Sequence, residues 1–382
     1  MRSLSRLVVV CLSAALVAAG APVLTGADRP ELWILSGQSN ACGAAKLPGF
    51  ESSPRVKIYD PASRKWVPAQ DPLPGMGSRG VGPWHAAALE VAKEKINVAL
   101  TGYAAGGRPI AFWDVDRGGW RTLSARIAAA GQGATVFLWY QGENDGLSQT
   151  DAGTYRKKLA DLVGRIRDSA GNPTMLVVIV QLGSWRGKGD FMPIREAQRR
   201  FVVSDRNALL VPALGRTMKD YVHLNRDGQL ELGREIARAI LRTRYRKKTG
   251  WPGPVLDRAA LAADGTHVVA HFAEVERLGG CVAGDFGVVD AEGEAKCLKA
   301  EAGNTRVMLE FERAVRLPAR LIYGFGQRPS ASLVDERGNR APAVELEIGK
   351  NIPVKDEPSE APNGAGASKE QARSAPGVTT FR

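Results

Sequence analysis

The sequence predicts an α/β protein in which a parallel sheet lies between helices and a smaller antiparallel β domain follows. From residue 31 to residue 250, short apolar runs alternate with longer segments whose apolar residues recur every three or four positions. This alternation is typical of a parallel sheet covered on both faces. After the Trp251-Pro-Gly-Pro254 segment the helical pattern stops, and short strand-like runs separated by turn residues continue to about residue 348.

The elements of the first region follow from these patterns. The strand-like runs are Leu32–Leu35, Val98–Tyr103, Val136–Tyr140, Met175–Leu182 and Ala208–Val211. The helix-like segments are Trp84–Lys95, Leu123–Ala130, Thr154–Asp168, Ile194–Ser204 and Asp227–Tyr245. The third helix has its apolar residues on one stripe, with Asp151 as a cap before it and Gly171 after it. Ligands of such sheets bind at the carboxyl ends of the strands, so site residues are expected directly after strands.

The second region is predicted to be an antiparallel, sandwich-like β domain. Its strand-like runs include Thr266–Phe272, Arg306–Phe311 and Ala319–Tyr323. After residue 350, Pro, Ser, Gly and mixed charge dominate, which is typical of a disordered segment. The expected divisions are a signal peptide at 1–27, an α/β domain at 28–250, a β domain at 251–348 and a disordered tail at 349–382.

The first 27 residues have the pattern of a secretory signal peptide. Arg2 and Arg6 precede the apolar run Leu7–Ala19, and small residues follow through Ala27. The run is too short to span a bilayer comfortably, and no other apolar stretch is long enough. We therefore expect an exported protein, periplasmic or extracellular, with no membrane span in the mature chain.

Three cysteines follow the expected signal peptide. Export permits a disulfide between Cys281 and Cys297, which the sequence leaves open. Cys42 would then stay single, and we expect it to pack as a small apolar residue.

Composition and charge narrow the class of protein. The chain has 382 residues, of which 44% are hydrophobic, so it is neither wholly disordered nor a small disulfide scaffold. Its 52 Lys and Arg exceed its 40 Asp and Glu, giving a formal net charge of +12. The densest cationic stretch, Arg234–Lys248, does not match an RNA- or DNA-binding motif with interleaved aromatic residues. No nucleic-acid partner is expected, whereas a non-catalytic binder of anionic polysaccharide stays open as an alternative.

Three predicted strand ends carry polar or glycine-rich segments. The first strand runs into Ser36-Gly-Gln-Ser-Asn40, which places Ser39 just past a buried strand, where a nucleophile would need a base. The second ends in Ala105-Gly-Gly-Arg108, whose glycines allow backbone N–H groups to approach a ligand. The third ends in Trp139-Tyr-Gln-Gly-Glu-Asn-Asp145, whose amides and carboxylates can donate to an oxyanion or brace the loops. Each segment alone is also compatible with an ordinary polar turn.

Only four histidines occur, and one of them stands out. His223 follows Asp220 by three residues, so the carboxylate can reach the imidazole from the same turn and hold the tautomer that accepts a proton from a serine. His85 is expected to cap or pack. His267 and His271 lie about 13 Å apart on one strand, at about 3.3 Å per residue, which is too far for one tetrahedral metal. Neither a metal nor another cofactor is expected.

Taken in order, four blocks resemble those of the SGNH/GDSL hydrolases. They are Gly37-Gln-Ser-Asn40, Ala105-Gly-Gly107 with Trp113, Trp139-Tyr-Gln-Gly-Glu143 with Asp145, and Asp220-x-x-His223-Leu224. Within that superfamily they are most similar to the sialate O-acetylesterase and acetylxylan-esterase-like branch, over about residues 31–239. A fainter similarity in the β region, at Ala319–Gly324 and Val334–Gly338, points to the accessory β domain of the same branch.

The resemblance implies an SGNH-type three-layer α/β/α fold and a carbohydrate esterase that removes O-acetyl groups through an acyl-enzyme. It implies Ser39 as nucleophile, His223 as general base and then acid, and Asp220 as the residue that orients the imidazole. The implied oxyanion hole comprises the backbone N–H of Ser39, that of Gly106 or Gly107, and a side-chain amide of Gln141 or Asn144. The implied supporting residues are Gln38, Asn40, Glu143 and Asp145.

Several questions stay open from the sequence. Arg108 and Trp113 are candidate substrate contacts, with core packing as the alternative for Trp113. The substrate is expected to be an O-acetylated carbohydrate, sialate or xylan-like, while the sugar, the hydroxyl and the oligomeric state are left undetermined. An esterase for non-sugar acyl esters is a second alternative, because the triad does not specify the leaving alcohol.

Overall fold

The structure, a computed structural model, describes residues 30–77, 80–185, 187, 189–324 and 329–349. The expected signal peptide at 1–27 lies outside these residues, as does the expected tail from residue 350 onward. The described chain forms two β-containing units that pack on each other.

The first unit is built on a seven-stranded sheet. Its strands are β1 (Glu31–Gly37), β2 (Val56–Asp60), β3 (Lys65–Pro68), β4 (Val98–Ala104), β5 (Val136–Tyr140), β6 (Leu176–Gln181) and β7 (Ala208–Pro212). Their order is β3-β2-β4-β1-β5-β6-β7, and all neighbours are parallel except the β2–β3 hairpin at one edge. Because β1 lies between β4 and β5, the segments that follow these three strands meet at one end of the sheet.

Helices cover the sheet and confirm the predicted three-layer α/β/α class. They are α1 (Ser39–Cys42), α2 (Pro83–Ala92), α3 (Gly118–Ala130), α4 (Glu143–Leu147), α5 (Ala152–Ala170), α6 (Met192–Ser204) and α7 (Arg226–Tyr245). The helix α2 packs against α7, while α3 and α6 pack against α5. The Asp151 side chain caps α5 by accepting from the Thr154 N–H at 2.7 Å, and Gly171 ends the helix at φ +64°. Within the described residues, no helix is both long and apolar enough to cross a membrane.

The second unit is the predicted β domain, and its strands close into a barrel. They are β8 (Val255–Leu261), β9 (His267–Ala273), β10 (Phe286–Asp290), β11 (Gly293–Ala302), β12 (Arg306–Phe311), β13 (Arg320–Tyr323) and β14 (Val344–Gly349). The order is β10-β11-β12-β9-β8-β14-β13, and β13 pairs back with β10. All pairs are antiparallel except β14 with β8. Closure leaves no free sheet edge of the kind that two stacked open sheets would have.

The barrel is fixed to the end of a central-sheet strand. Gln181, the last residue of β6, is fully buried, and its amide both donates to the Ala343 carbonyl and accepts from the Ala343 N–H, each at 2.8 Å. Arg238 of α7 adds a bond to Asn339 at 2.8 Å. The barrel core also includes Met192 of the first unit. The two units therefore share buried hydrogen bonds and apolar contacts.

The three cysteines of the described chain are free thiols. Burial raises the pKa of Cys281 to about 12 and that of Cys297 to about 11, so neither is a reactive thiolate at neutral pH. Cys42 is 6% exposed and packs in the core of the first unit, as expected.

Candidate active site

Ser39 stands at the carboxyl end of the central strand β1 because of a turn that requires glycine. Gly37 has φ +141°, and a Cβ at this position would lie 2.0 Å from the Tyr140 carbonyl oxygen of the neighbouring strand. The next N–H, that of Gln38, donates to the same carbonyl at 2.9 Å. The chain thus turns sharply after β1 and begins α1 at Ser39.

His223 and Asp220 meet Ser39 in a continuous row of hydrogen bonds. The Ser39 Oγ lies 2.9 Å from His223 Nε2, and His223 Nδ1 lies 2.9 Å from Asp220 Oδ2. Burial alone would raise the pKa of Asp220, but hydrogen bonds from the Val222 and His223 N–H groups and from the imidazole lower it overall. An ionised Asp220 keeps the proton on Nδ1, which leaves Nε2 free to accept the Ser39 proton.

The glycine pair after β4 faces the nucleophile. A Cβ on Gly106 would lie 3.7 Å from the Ser39 Cβ, so the two residues are in close contact. The Gly106 N–H donates to the thiol of Cys42, whose pKa is raised to about 12 mainly by burial. Within the described part of the chain, the N–H groups of Ser39 and Gly107 have no acceptor. Of the two candidate glycines, Gly107 therefore keeps an available donor.

The two candidate amides differ in availability. Gln141 is fully buried. Its Nε2 has three acceptors for two hydrogens, namely Gln38 Oε1, the Arg108 carbonyl and Asp145 Oδ2. Asn144 is only partly buried, and its Nδ2 donates to the Gly107 carbonyl at 3.1 Å, which uses one hydrogen. The second hydrogen of Asn144 is left for a ligand, so this geometry favours Asn144 over Gln141 as an oxyanion donor.

Asn40 links the nucleophile helix to the histidine loop. Its Nδ2 donates to the Val222 carbonyl at 3.1 Å and its Oδ1 accepts from the Leu224 N–H at 3.1 Å, so it holds the backbone on both sides of His223. The same Nδ2 donates to Glu143 Oε1 at 2.9 Å. Burial raises the pKa of Glu143 to about 7, and its second oxygen has no partner among the described residues.

Gln38 and Asp145 brace the loop after β5. The Gln38 Oε1 accepts from the N–H of Gly142 at 3.4 Å and of Asn144 at 3.2 Å. Asp145 accepts from the Ile110 N–H at 2.8 Å, which ties this loop to the segment after β4. Burial raises the pKa of Asp145 against the effect of its hydrogen bonds. The four expected supporting residues therefore form two hydrogen-bonded sets near Ser39 and His223, Asn40 with Glu143 and Gln38 with Asp145 through Gln141.

The two candidate substrate contacts are placed differently. Arg108 is exposed, with its guanidinium 5.1 Å from the centroid of the Phe112 ring. Trp113 is 1% exposed and packs edge-on against Trp139 at 5.2 Å. Trp113 therefore belongs to the core, and the substrate contact expected for it is replaced by the packing alternative.

The remaining histidines lie outside this network. His85 is fully buried and contacts Asp71 Oδ2 at 2.9 Å. His267 contacts Asp264 Oδ2 at 2.8 Å on the barrel. No group of three or more His, Cys, Asp or Glu side chains in the described ranges could hold a metal ion.

Sequence reasoning missed one residue at the site. Tyr221 lies inside the Asp220–His223 block and is 56% exposed, while its ring contacts Trp185 of the loop after β6. An aromatic residue within the histidine block was the available signal. The loop partner is distant in sequence and could not be paired with it from the pattern.

Comparison with known proteins agrees with this fold. Residues 29–242 match a family model described as carbohydrate esterase, sialic acid-specific acetylesterase. The chain is 30% identical over 261 residues to a probable carbohydrate esterase of Arabidopsis thaliana, covering 58% of this chain and 98% of that protein. The crystal structure of a carbohydrate acetylesterase from Xanthomonas citri shares the fold, with a TM-score of 0.63 at 18% identity over 83% of this chain and 80% of that one.

A second solved structure, of an Arabidopsis thaliana protein, has a TM-score of 0.51 at 26% identity and covers 56% of this chain and 98% of that one. The family match spans more than half of the chain and includes all four sequence blocks. The chain therefore belongs to the carbohydrate esterase family of sialic acid-specific acetylesterases and is a carboxylic ester hydrolase.

Proposed function

We propose that this carbohydrate acetylesterase is exported and removes O-acetyl groups from sugars through an acetyl-enzyme formed on Ser39. The observation that carries the proposal is the row of 2.9 Å contacts from Ser39 Oγ through His223 to Asp220. A serine hydroxyl is a weak nucleophile, and a base within hydrogen-bond distance is what activates it.

In the first half-reaction, His223 Nε2 takes the proton of Ser39 as Oγ bonds to the acetyl carbonyl carbon. The carbonyl oxygen becomes an oxyanion, for which the donors are the N–H groups of Ser39 and Gly107 and the free Nδ2 hydrogen of Asn144. Each such donor typically stabilises the transition state by about 3–4 kcal/mol. When the intermediate collapses, the ester C–O bond breaks, and His223 gives its proton to the departing sugar oxygen.

In the second half-reaction, water replaces the sugar. His223 takes a proton from the water while the water oxygen bonds to the acetyl carbon of acetyl-Ser39. The bond from Ser39 Oγ to that carbon then breaks, Oγ regains a proton from His223, and acetate leaves. Asp220 stays ionised throughout and stabilises the imidazolium each time it forms.

A sugar substrate and export have separate support. The matched family is described as sialic acid-specific, and the relatives are named as carbohydrate esterases. The exposed Arg108 guanidinium follows Gly107 directly and suits an acidic sugar as well as a neutral one. Export is supported by the sequence of residues 1–27.

The test is acetate release from acetylated xylan, an O-acetylated sialic acid and 4-nitrophenyl acetate. We expect wild type to release acetate from at least one sugar and Ser39→Ala to lose at least about 10⁴-fold in kcat/KM on every active substrate. Ser124→Ala is the matched control and should match wild type, because the partly buried Ser124 only donates to the Arg121 carbonyl of its own helix α3. Sustained activity of Ser39→Ala would refute the nucleophile, and activity on the aryl ester alone would refute the sugar substrate.

A further inference from the structure

A column of three aromatic rings leads to the loop that carries Asp220 and His223. Phe191 and Trp185 are 2% and 8% exposed, and their rings stack with centroids 5.4 Å apart and planes 18° apart. Tyr221 meets Trp185 edge-on at 5.3 Å and 77°, and it is 56% exposed. The column thus ends in one exposed ring, which belongs to the loop that carries Asp220 and His223.

Close backbone approach holds the two inner rings. A Cβ on Gly146 of α4 would lie 2.5 Å from the Phe191 ring, and a Cβ on Gly187 would lie 2.2 Å from the Trp185 ring. Only glycine leaves room for these contacts. The backbone at Gly187 therefore lies against the Trp185 indole, and the column reaches from α4 to the histidine loop.

A buried arginine fixes the start of the same loop. Arg195 of α6 is 1% exposed, and its guanidinium donates to the carbonyls of Leu182 and Gly183 at 3.1 and 2.6 Å. The proposed chemistry gives Arg195 no role. A role for these contacts is to hold the start of the Trp185 loop in place, and with it the ring that Tyr221 packs against.

The backbone beneath Tyr221 is equally well held. The Asp220 carboxylate accepts the N–H groups of Val222 and His223, and Asn40 donates to the Val222 carbonyl. An aromatic side chain held from below and behind loses little conformational freedom when a ligand covers it. Tyr221 is therefore an ordered apolar surface two residues from the base.

We propose that Tyr221 is a sugar-stacking subsite, on which the C–H face of a pyranose ring packs while its acetyl group reaches Ser39. The inference rests on the proposed function and specifies which part of the substrate the enzyme binds. A pyranose presents an apolar C–H face and polar hydroxyl edges, and an aromatic ring beside open solvent suits that combination. The buried rings of Trp185 and Phe191 hold Tyr221 in place, and Tyr221 contacts the sugar.

The test compares whichever acetylated sugar wild type hydrolyses, a xylo-oligosaccharide or an O-acetylated sialic acid, with 4-nitrophenyl acetate, which has no sugar ring. Tyr221→Ala should lower the ratio of kcat/KM for the sugar to kcat/KM for the aryl ester by about tenfold, mainly through a higher KM for the sugar. Tyr221→Phe keeps the ring and should retain most of the ratio, whereas Tyr221→Leu should behave like the alanine variant. Trp66→Ala is the matched control, because Trp66 is another exposed aromatic, 37% exposed on the edge strand β3.

The outcomes separate this proposal from the proposed function. If wild type hydrolyses the acetylated sugar and Tyr221→Ala keeps the wild-type ratio, the subsite is refuted and the sugar esterase stands. Equal loss on both substrates would also refute it, because that result indicates a damaged histidine loop. If wild type hydrolyses only the aryl ester, the sugar substrate itself fails, and the subsite fails with it.

Discussion

Among the residues that the structure describes, the same four-residue turn occurs twice, once in each unit. In Asp220–His223 the Oδ1 of the aspartate accepts the N–H groups of the last two residues at 2.9 Å each, and its Oδ2 contacts the imidazole Nδ1 at 2.9 Å. In Asp264–His267 the corresponding distances are 2.9, 3.0 and 2.8 Å. The local geometry that orients a histidine is therefore present at both sites.

The surroundings of the two turns differ. The imidazole of His223 faces Ser39 Oγ, and Asn40 holds the backbone on both sides of it. The His267 Nε2 has no partner among the described residues, and its turn is held by the backbone N–H groups of Phe311 and Val315. An aspartate–histidine turn thus fixes the tautomer of the histidine. Only the tertiary contact with a nucleophile lets that histidine act as a base.

The largest expected difference between the two turns appears when the carboxylate of each is removed. Asp220→Asn should lower kcat/KM for 4-nitrophenyl acetate by up to about 10⁴-fold, because the amide no longer stabilises the imidazolium and favours the wrong tautomer. Asp264→Asn makes the same change in the barrel and should leave kcat/KM within twofold of wild type. Equal rates for the two variants would show that Asp220 does not act in catalysis.

This comparison also shows what the sequence could and could not predict. The four blocks predicted Ser39, Asp220 and His223 from short motifs at a strand end or a turn whose geometry is local, and the structure brings these three side chains together. The role of Asn40 on both sides of His223 depends on contacts across more than 180 residues, so no local pattern contains it. The apolar pattern also could not distinguish a substrate-facing Trp113 from a buried one, since a tryptophan suits both environments.

The fold was predictable for similar reasons. Strand and helix alternation identified the three layers, and α5 has the predicted cap at Asp151 and end at Gly171. Barrel closure depends on the pairing of β13 with β10 and of β14 with β8, which are register choices between distant strands. The sandwich-like expectation had only strand length and turn spacing to use, and these are common to sandwiches and barrels.

A second, smaller effect is expected from removing Asn40, which holds the backbone of the Asp220–His223 turn and has no counterpart at the barrel turn within the described chain. Asn40→Ala leaves the Val222 carbonyl, the Leu224 N–H and the Glu143 carboxyl without a partner. We expect kcat/KM to fall about 10- to 100-fold through loss of His223 positioning, with about 1–3 kcal/mol lost from the free energy of unfolding.

The control for Asn40 is the buried Asn339 of the barrel, which donates to the Gly250 carbonyl and accepts from Arg238. Asn339→Ala should lose comparable stability, measured by urea unfolding, with much less loss of activity. If both variants lose activity in proportion to their stability, Asn40 has no positioning role of its own.

A third effect concerns pH, because one turn is supported through a titratable group and the other is not. Glu143 lies behind the Asp220–His223 turn through Asn40, and burial raises its pKa to about 7. A carboxyl whose pKa is raised on folding favours the folded state below its unfolded pKa of about 4.3, and this contribution is lost as the pH rises through about 7. The free energy of unfolding of wild type should therefore fall between pH 5 and pH 8. A variant without this carboxyl should not show that fall.

Glu143→Gln is the variant that measures this difference, since it keeps an oxygen to accept from Asn40. Relative to wild type, its free energy of unfolding in urea should rise by about 2–3 kcal/mol from pH 5 to pH 8. Glu301→Gln, an exposed barrel residue paired with Lys299, should run parallel to wild type over the same range because its surface ion pair contributes little. Parallel curves for Glu143→Gln as well would mean that Glu143 titrates alike in the folded and unfolded chains. Support for the catalytic turn would then be as independent of pH as the backbone N–H groups that hold the barrel turn.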